Sequence, residues 1–218
     1  MNMKKKIYAL LAAALLLMAI GCGVSKETEP ASEEDFVAAS IVVDKESMPP
    51  LDKELRQLYH DAYKIYAQVN LGRFNFCVND TTEKHGMTYY RIIDSRFRTH
   101  DDLHNYLLQY FTKDFVENYM LQEENIMYLK GDNGGLYFLA LPRSTNPFYA
   151  GHTFEIDKEG KDEMAVVATA YYTKEEHCAD KPFYKTPSAP ETYQTREYRF
   201  TMKQEDGQWK FDDFYLFF

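Results

Sequence analysis

Two histidines four positions apart, His100 and His104 in the run HDDLH, form the pattern closest to a catalytic metal motif. Histidines at positions i and i+4 of a helix lie on one face, as in zinc helices of the H-E-x-x-H type. Here aspartate replaces the glutamate, and no third ligand stands at a familiar spacing. Aspartates are also favoured at a helix start by the helix dipole. We therefore predict a solvated helix start that binds no metal.

Asp213 is a second candidate, because it lies among aromatic residues on one face of a predicted final strand. The aromatic residues on that face are Trp209, Phe211, Tyr215 and Phe217. A carboxyl group in an apolar pocket has a raised pKa, which suits general-base catalysis. The alternative is an aspartate near a strand end that bonds to backbone or to an arginine, and we favour it. Asp212 points to the opposite face and is not expected to pair with Asp213.

Cys77 and Cys178 lie in segments without a regular pattern, and residues 1–21 are predicted, as described below, to be an export signal. A disulfide between them is therefore allowed. Two free thiols are the alternative, and the separation of the two Cα atoms decides between these states. Neither cysteine stands in a Cys/His signature, so we do not expect a nucleophile.

Residues 1–21 are predicted to be an export signal of the lipoprotein type. Lysines at positions 4–6 precede an apolar run over residues 7–20 that is too short to span a membrane. The sequence Ala-Ile-Gly-Cys that ends at Cys22 resembles a bacterial lipobox, with alanine where leucine is usual. A simple signal peptide with a chance cysteine is the alternative. We expect Cys22 to be diacylated and to anchor an extracytoplasmic protein to the bacterial membrane.

The rest of the chain is predicted to have two parts. Residues 22–48 are the lipidated cysteine and a flexible acidic tether, and residues 49–218 are a single α+β domain. Hydrophobic residues make up 45% and charged residues 27% of the chain, which is typical of a folded domain. The formal net charge of -9 argues against a nucleic-acid ligand, because phosphate binding needs a basic patch. No cofactor is expected.

The first helix is predicted to lie between Asp52 as its N-cap and Gly72 as its C-terminal stop. Its apolar face consists of Leu55, Leu58, Tyr59, Ala62, Ile65, Tyr66 and Val69. Residues 74–86 show no regular pattern, and we interpret them as irregular.

A strand over residues 89–97 and a pair of helices are predicted next. Thr99 stands at the N-cap of the first helix with Asp102 three residues on, which is the short form of a capping box. The apolar face of this helix consists of Leu103, Tyr106, Leu107, Tyr110 and Phe111. Thr112 caps the second helix, in which Phe115, Val116 and Tyr119 continue the apolar stripe.

The C-terminal half is predicted to form three hairpins. Their paired segments are residues 126–130 with 136–141, 153–157 with 163–173, and 195–204 with 209–217. The turns are indicated by Asp132-Asn133-Gly134-Gly135, by Gly160 and by Asp206-Gly207. The last strand is apolar on both faces, so we expect it in the interior of the sheet with Trp209 buried.

Together these elements predict an α+β fold, in which an N-terminal helix and a helix pair pack on a curved, mainly antiparallel sheet of about six strands. The order of strand, Thr99 cap, L-x-x-Y-L, F-T-x-x-F and hairpin resembles IseA-type DL-endopeptidase inhibitors over residues 51–218. More loosely, the layout is similar to the cone-shaped rolls of cystatin-like and nuclear-transport-factor-like domains. The resemblance implies a secreted or lipid-anchored bacterial protein that binds a cell-wall cysteine peptidase of the NlpC type.

Two predicted loops, residues 142–151 and 174–194, carry aromatic residues that suit the centre of a protein interface. These residues are Phe148, Tyr149, Phe183 and Tyr184. Packing back over the core is the alternative, and both stay open. The main hypothesis is a non-catalytic envelope lipoprotein that inhibits a cell-wall DL-endopeptidase. The alternatives are a small-molecule or enzymatic pocket near Asp213 and a structural surface lipoprotein.

Overall fold

The computed structural model describes residues 43–122, 127–141, 146–174 and 181–217. Within these ranges the chain forms three helices and two antiparallel sheets of four strands each. The predicted α+β class is confirmed, whereas two smaller sheets replace the single sheet of about six strands. None of the helices in these ranges has the length and apolar character needed to cross a membrane.

Residues 43–48, at the end of the predicted tether, lie against the folded domain. A 3-10 turn at Lys45–Ser47 is capped by the Asp44 carboxylate, which accepts a hydrogen bond from the Glu46 N–H at 2.9 Å. The neighbouring apolar side chains Val43 and Met48 are partly buried against the core. The ordered domain therefore includes these residues.

Helix α1 spans Lys53–Leu71 and has the caps that its sequence predicts. The Asp52 carboxylate accepts hydrogen bonds from the backbone N–H groups of Glu54 and Leu55, each at 2.9 Å. These bonds satisfy two of the donors that a helix start leaves free. Gly72 ends the helix in the left-handed region at φ 61°, where the lack of a Cβ atom is an advantage.

The first sheet contains four strands in the order β1-β2-β4-β3. They are β1 (Phe76–Lys84), β2 (Met87–Ile92), β3 (Tyr128–Lys130) and β4 (Leu136–Phe138). The hairpin predicted around Asp132 to Gly135 is confirmed as the antiparallel pair of β3 and β4. This short hairpin and the longer one formed by β1 and β2 meet where β2 pairs with β4.

Strand β1 shows that the interpretation of residues 74–86 as irregular is wrong. It pairs with β2 through a tight turn in which His85 and Gly86 have positive φ values of 55° and 72°. Such turns match the twist of a hairpin. Most of β1 is exposed at the edge of the sheet, so its sequence shows no alternation of apolar and polar residues. Strand β2 also ends at Ile92, short of the predicted residue 97, because a hydrogen-bonded turn follows.

Helices α2 (His100–Leu107) and α3 (Lys113–Phe115) form the predicted helix pair. The capping box is present. The Thr99 hydroxyl accepts from the Asp102 N–H at 3.0 Å, and the Asp102 carboxylate accepts from the Thr99 N–H at 2.8 Å. Helix α3 continues directly into a π-helical turn, Val116–Met120. Turns of this kind are rare and occur frequently at functional sites.

The second sheet is a meander of four strands in the order β5-β6-β7-β8. They are β5 (Tyr149–Glu159), β6 (Glu163–Tyr172), β7 (Gln194–Glu205) and β8 (Gln208–Phe211). The hairpins predicted around Gly160 and around Asp206-Gly207 are both confirmed. Strand β5 begins at Tyr149, so the predicted loop over residues 142–151 is wrong over its last three residues.

The prediction of a long interior final strand is wrong. Strand β8 stops at Phe211 and lies at the edge of the second sheet, and Trp209 is only half-buried. The link between α2 and α3 covers this edge, since the Thr112 N–H donates to the Phe211 carbonyl and the Phe211 N–H donates to the Tyr110 carbonyl, both at 2.9 Å. After β8 the chain crosses the core without regular structure. An extended buried segment has the same apolar pattern as an interior strand.

Helix α1 joins the two sheets through a shared main core. Near its start, the Tyr59 ring lies 5.6 Å from the Phe154 ring on β5 and 6.0 Å from the Phe200 ring on β7. Near its end, the Tyr128 hydroxyl on β3 donates to the Val69 carbonyl at 2.6 Å. Most buried side chains of both sheets therefore belong to one main cluster around this helix, and a second, small cluster lies in the first sheet.

Candidate functional site

A cavity of about 310 Å³ opens beside Asp213, between α1, the π-helical turn, β3 and the segment that follows β8. Its lining residues are Tyr66, Val69, Asn70, Phe115, Tyr119, Met120, Met127, Tyr128, Asp213, Phe214 and Tyr215. We refer to it as the Asp213 cleft. Asp213, a pocket candidate from its position in the sequence, thus lies on the wall of a cavity that four parts of the chain build.

Three aromatic rings form a row along the cleft. The Tyr66 ring on α1 lies 6.2 Å from the Phe115 ring at an angle of 20°, and the Phe115 ring lies 5.6 Å from the Tyr119 ring at 30°. Phe115 and Tyr119 stand at positions i and i+4, which places them on one face of the helical segment. Tyr119 is 65% exposed, so the row begins in the core and ends in solvent.

The two aspartates after β8 make different contacts. Asp212 accepts a hydrogen bond from the Thr112 hydroxyl at 2.8 Å and pairs with Lys203. Asp213 accepts a hydrogen bond from the Thr201 hydroxyl. Burial is the main cause that raises the pKa of Asp213, and the neighbouring Asp212 acts in the same direction against the Thr201 hydrogen bond. In the described part of the chain, Asp213 has no ion-pair partner.

Two tyrosine hydroxyls of the cleft stay protonated at neutral pH. Burial raises the pKa of Tyr66 to about 12. Burial and the nearby Asp213 carboxylate raise the pKa of Tyr215. A protonated phenol can donate and accept hydrogen bonds but does not act as a base. Neither hydroxyl is therefore suited to proton abstraction.

The described lining of the cleft offers aromatic, apolar and acidic surface. Its described lining contains one carboxyl group and no histidine, cysteine, serine, lysine or arginine. One carboxyl group with a raised pKa also suits general-base catalysis. The nearest acid, Asp212, is engaged with Thr112 and Lys203. Aromatic rings beside a carboxylate suit a ligand that stacks and carries positive charge or hydrogen-bond donors.

The four aromatic residues proposed from the sequence as partner contacts are half-buried against the second sheet. They are Phe148, Tyr149, Phe183 and Tyr184. The backbone of Phe183 pairs with β5, where its N–H donates to the Ala150 carbonyl at 3.1 Å, and its ring lies 5.4 Å from the Tyr193 ring. The Tyr184 ring lies 5.2 Å from the His152 ring. This packing corresponds to the alternative in which these residues fold back over the core.

His152 on β5 is a buried titratable residue that its sequence context gives no reason to single out. Its Nε2–H donates to the Ser47 carbonyl at 2.9 Å, and its Nδ1 accepts from the Tyr149 hydroxyl. Burial lowers the pKa of His152 to about 4, so the ring is neutral at neutral pH. Both ring nitrogens are satisfied, and His152 ties the chain before α1 to the second sheet.

The HDDLH run is the start of α2, as predicted. Asp102 belongs to the capping box, and Asp101 pairs with Lys130 at 2.9 Å. The His104 Nε2 atom lies 3.3 Å from the Glu117 Oε1 atom. Among the residues that the structure describes, no group of three or more His, Cys, Asp or Glu side chains is arranged to hold a metal ion.

Two of the three cysteines, Cys22 and Cys178, lie outside the described residues. Cys77 lies on β1, where it is half-buried. The lipidation of Cys22 and the disulfide between Cys77 and Cys178 therefore stay predictions.

Tyr66 and Tyr119 are cleft residues that the sequence assigns only to apolar helix faces. In the sequence, each tyrosine stands at the border of an apolar helix face. A side chain with an apolar body and a polar tip suits this position, so the pattern does not indicate a binding residue. Nothing in the sequence joins them to Asp213, because their proximity arises from packing between distant segments. No protein-family model and no curated protein sequence matches the chain, so its function is inferred from the geometry of the cleft.

Proposed function

We propose that the chain is a non-catalytic binding protein of the bacterial envelope and that its ligand enters the Asp213 cleft. The observation that carries this proposal is the row of stacked rings that ends at the exposed Tyr119, beside a carboxylate without an ion-pair partner among the described residues. A ligand there gains aromatic contact area and a charge-assisted hydrogen bond at the same time.

The size of the cleft limits what it can hold. A volume of about 310 Å³ lies at the lower end of the range for small-molecule sites, which is about 300–1,000 Å³. It suits a small molecule, or one side chain of a larger partner. A larger partner would contact the rim at Tyr119 and Tyr215, which are 65% and 37% exposed. Exposed aromatic residues at the mouth of a pocket are good anchors for such a contact.

The envelope location is supported by the lipoprotein signal predicted over residues 1–22. We further propose that α1 and the β5–β8 meander form a cystatin-like unit. One long helix packed across a four-stranded antiparallel meander supports this proposal. In such a unit the core lies between helix and sheet, which leaves one end of the helix free to build a cleft with other segments.

A cell-wall peptidase of the NlpC type is the specific partner that the resemblance to IseA-type inhibitors favours. The exposure of Tyr119 at the rim supports a protein partner, since an aromatic side chain in that position is a typical interface anchor. Because Tyr149 and Tyr184 are half-buried, we assign the contact to the cleft rim instead of the two loops. Inhibition would result from occlusion of the peptidase's own cleft.

Binding to the cell wall tests the proposed site. The chain from residue 23 onward is incubated with a cell-wall preparation from the same bacterium, and the bound fraction is measured by co-sedimentation. The variants are Asp213→Asn and Tyr119→Ala. Their matched controls are Asp162→Asn and Tyr184→Ala, which remove the same groups outside the cleft lining. We expect the cleft variants to lose about tenfold in affinity or more, and the controls to bind like the wild type.

Equal binding by all four variants would show that the cleft is not the binding site.

The peptidase partner is tested separately, by following cell-wall cleavage with NlpC-type peptidases of the host. We expect the wild-type chain to slow cleavage and Tyr119→Ala to slow it less. Unchanged cleavage at a large molar excess, across all of these peptidases, would exclude them as partners and leave a small ligand.

A further inference from the structure

The Asp213 cleft carries a negative charge that its own residues do not neutralise. No lysine, arginine or histidine belongs to its described lining. Lys203 and Arg199 act to lower the pKa of Asp213, but each forms its ion pair with another acid, Lys203 with Asp212 and Arg199 with Asp157. A half-buried carboxylate is poorly solvated, and a positively charged ligand would compensate this cost.

The remaining surface of the cleft suits the rest of a cationic ligand. The faces of aromatic rings carry negative partial charge, and a cation within about 6 Å of a ring centroid is attracted to it. The row of Tyr66, Phe115 and Tyr119 provides three such rings, and Met120 and Met127 add apolar, deformable surface. The cleft therefore combines a site for a charged head with a wall for an apolar stem.

We propose that the cleft binds an organic ammonium ion, whose head bonds to the Asp213 carboxylate and whose alkyl stem lies along Phe115 and Tyr119. This inference rests on the proposed function, because it names the ligand class for the same cleft. A volume of about 310 Å³ accommodates an ammonium head and a short stem. An anionic head would meet the Asp213 charge without a counter-ion. Small amines and the lysine-type side chains of peptides share the ammonium chemistry.

The test is a titration of the ¹⁵N-labelled chain from residue 23 onward, followed by nuclear magnetic resonance. The probes are n-butylammonium, n-butanol and n-butyrate, which share a stem and differ in the charge of the head. Shifts of the Asn70 side-chain amide and of the Tyr119 and Tyr215 backbone amides locate binding in the cleft. We expect n-butylammonium to bind about tenfold more tightly than n-butanol, because its hydrogen bond to Asp213 is charge-assisted. We expect n-butyrate to bind more weakly than n-butanol.

Variants distinguish the contribution of the ammonium head to the affinity from that of the alkyl stem. Asp213→Asn keeps the shape of the side chain and an acceptor for the Thr201 hydroxyl, and it should remove the preference for ammonium over butanol. Tyr119→Ala changes an exposed position, so the fold should be retained. Because the variant lacks the ring that contacts the alkyl stem, n-butylammonium and n-butanol should both bind more weakly. Asp162→Asn should leave all affinities unchanged. Its carboxylate is exposed and lies outside the cleft lining.

A second pair of probes distinguishes the two sources of the ammonium group. Nα-acetyl-lysine methylamide carries it on a peptide unit, and Nα-acetyl-norleucine methylamide is its neutral match. If the lysine probe binds more tightly than n-butylammonium, the ligand is a peptide side chain. If it binds equally or more weakly, the ligand is a free amine.

Equal affinity for n-butylammonium and n-butanol, or an unchanged preference in Asp213→Asn, would overturn the ammonium assignment. If n-butanol still bound in the cleft, the proposed function as a binding protein would not be contradicted. The absence of shifts with every probe would also overturn the assignment, and the cell-wall experiment would then decide separately about the function.

Discussion

Burial shifts the pKa of Asp213 and the pKa of His152 with opposite consequences for their roles. In both cases the low polarity of the surroundings opposes the charged form, which raises the pKa of the acid and lowers that of the base. His152 has a hydrogen-bond partner on each ring nitrogen and lies inside the domain. Asp213 lines an open cleft and keeps acceptor capacity after its bond to Thr201. The imidazole therefore stabilises the fold, while the carboxylate remains available for a ligand.

The depressed pKa of His152 predicts that the protein loses stability in mild acid. Histidine in the unfolded chain takes up a proton near its ordinary pKa of 6.5, but the folded chain resists protonation until about pH 4. The contribution of the neutral ring is therefore fully present above pH 6.5 and is lost as the pH falls from 6.5 to 4. We expect the free energy of unfolding to fall by about 3 kcal/mol over this window from His152 alone. Denaturant titrations at a series of pH values measure this loss.

Two glutamine variants isolate the effect of His152. His152→Gln removes the titrating group and keeps a donor for the Ser47 carbonyl, so it should flatten the pH dependence in this window. His60→Gln is the matched control, because it replaces one half-buried histidine on α1 and leaves His152 in place, so the loss in this window should persist. A steep acid loss that persists in His152→Gln would assign the effect to other groups.

At the scale of the elements, the turn between β7 and β8 depends on a backbone that glycine adopts easily. Gly207 has φ 76°, and a Cβ atom added there would meet no heavy atom within 4 Å. The cost of Gly207→Ala is therefore a backbone cost alone, about 1 kcal/mol in the free energy of unfolding. Gly207→Asn should cost less, because asparagine tolerates positive φ better than alanine. Equal stability of all three chains in denaturant titrations would contradict this account of the turn.

The elements that could be predicted from the sequence are those whose signals are local. The caps at Asp52 and Thr99 and the stop at Gly72 each need only a few neighbouring residues, and all three are present. The sequence pattern does not predict strand β1, because an exposed edge strand needs no apolar face. A local indication is His85-Gly86, which forms its turn. The sequence predicts a longer final strand than the structure contains, because the buried chain after Phe211 is as apolar as a strand.

The cleft could be predicted only in part, because its parts are distant in the chain. Asp213 stands out locally as an acid among aromatic residues. Tyr66 and Tyr119 have no such signal, since a tyrosine on a helix face is equally suited to the core. What brings them to Asp213 is packing of α1 and the π-helical turn against the segment after β8. Contacts of this range follow from the whole fold, not from the spacing of residues.

At the scale of the whole molecule, the predicted anchor is a single covalent lipid on Cys22. Replacing it by alanine should release the protein from the membrane fraction, because alanine has no thiol to which a lipid could be attached. The measurement is the distribution of the chain between membrane and soluble fractions after a carbonate wash. Cys77→Ala is the matched control and should stay with the membrane. A Cys22→Ala variant that remains membrane-bound would contradict the lipoprotein prediction.

The position of α1 between two sheets predicts that the domain unfolds as a single cooperative unit. The helix buries Tyr59 against the second sheet, and its end is bonded to β3 of the first sheet through Val69 and Tyr128. Separating the sheets would expose part of this helix to water, so neither sheet with the helix is a self-sufficient module. Both sheets should therefore melt in one transition. A fragment that ends after β4 would lack the partner of half its core and would tend to aggregate.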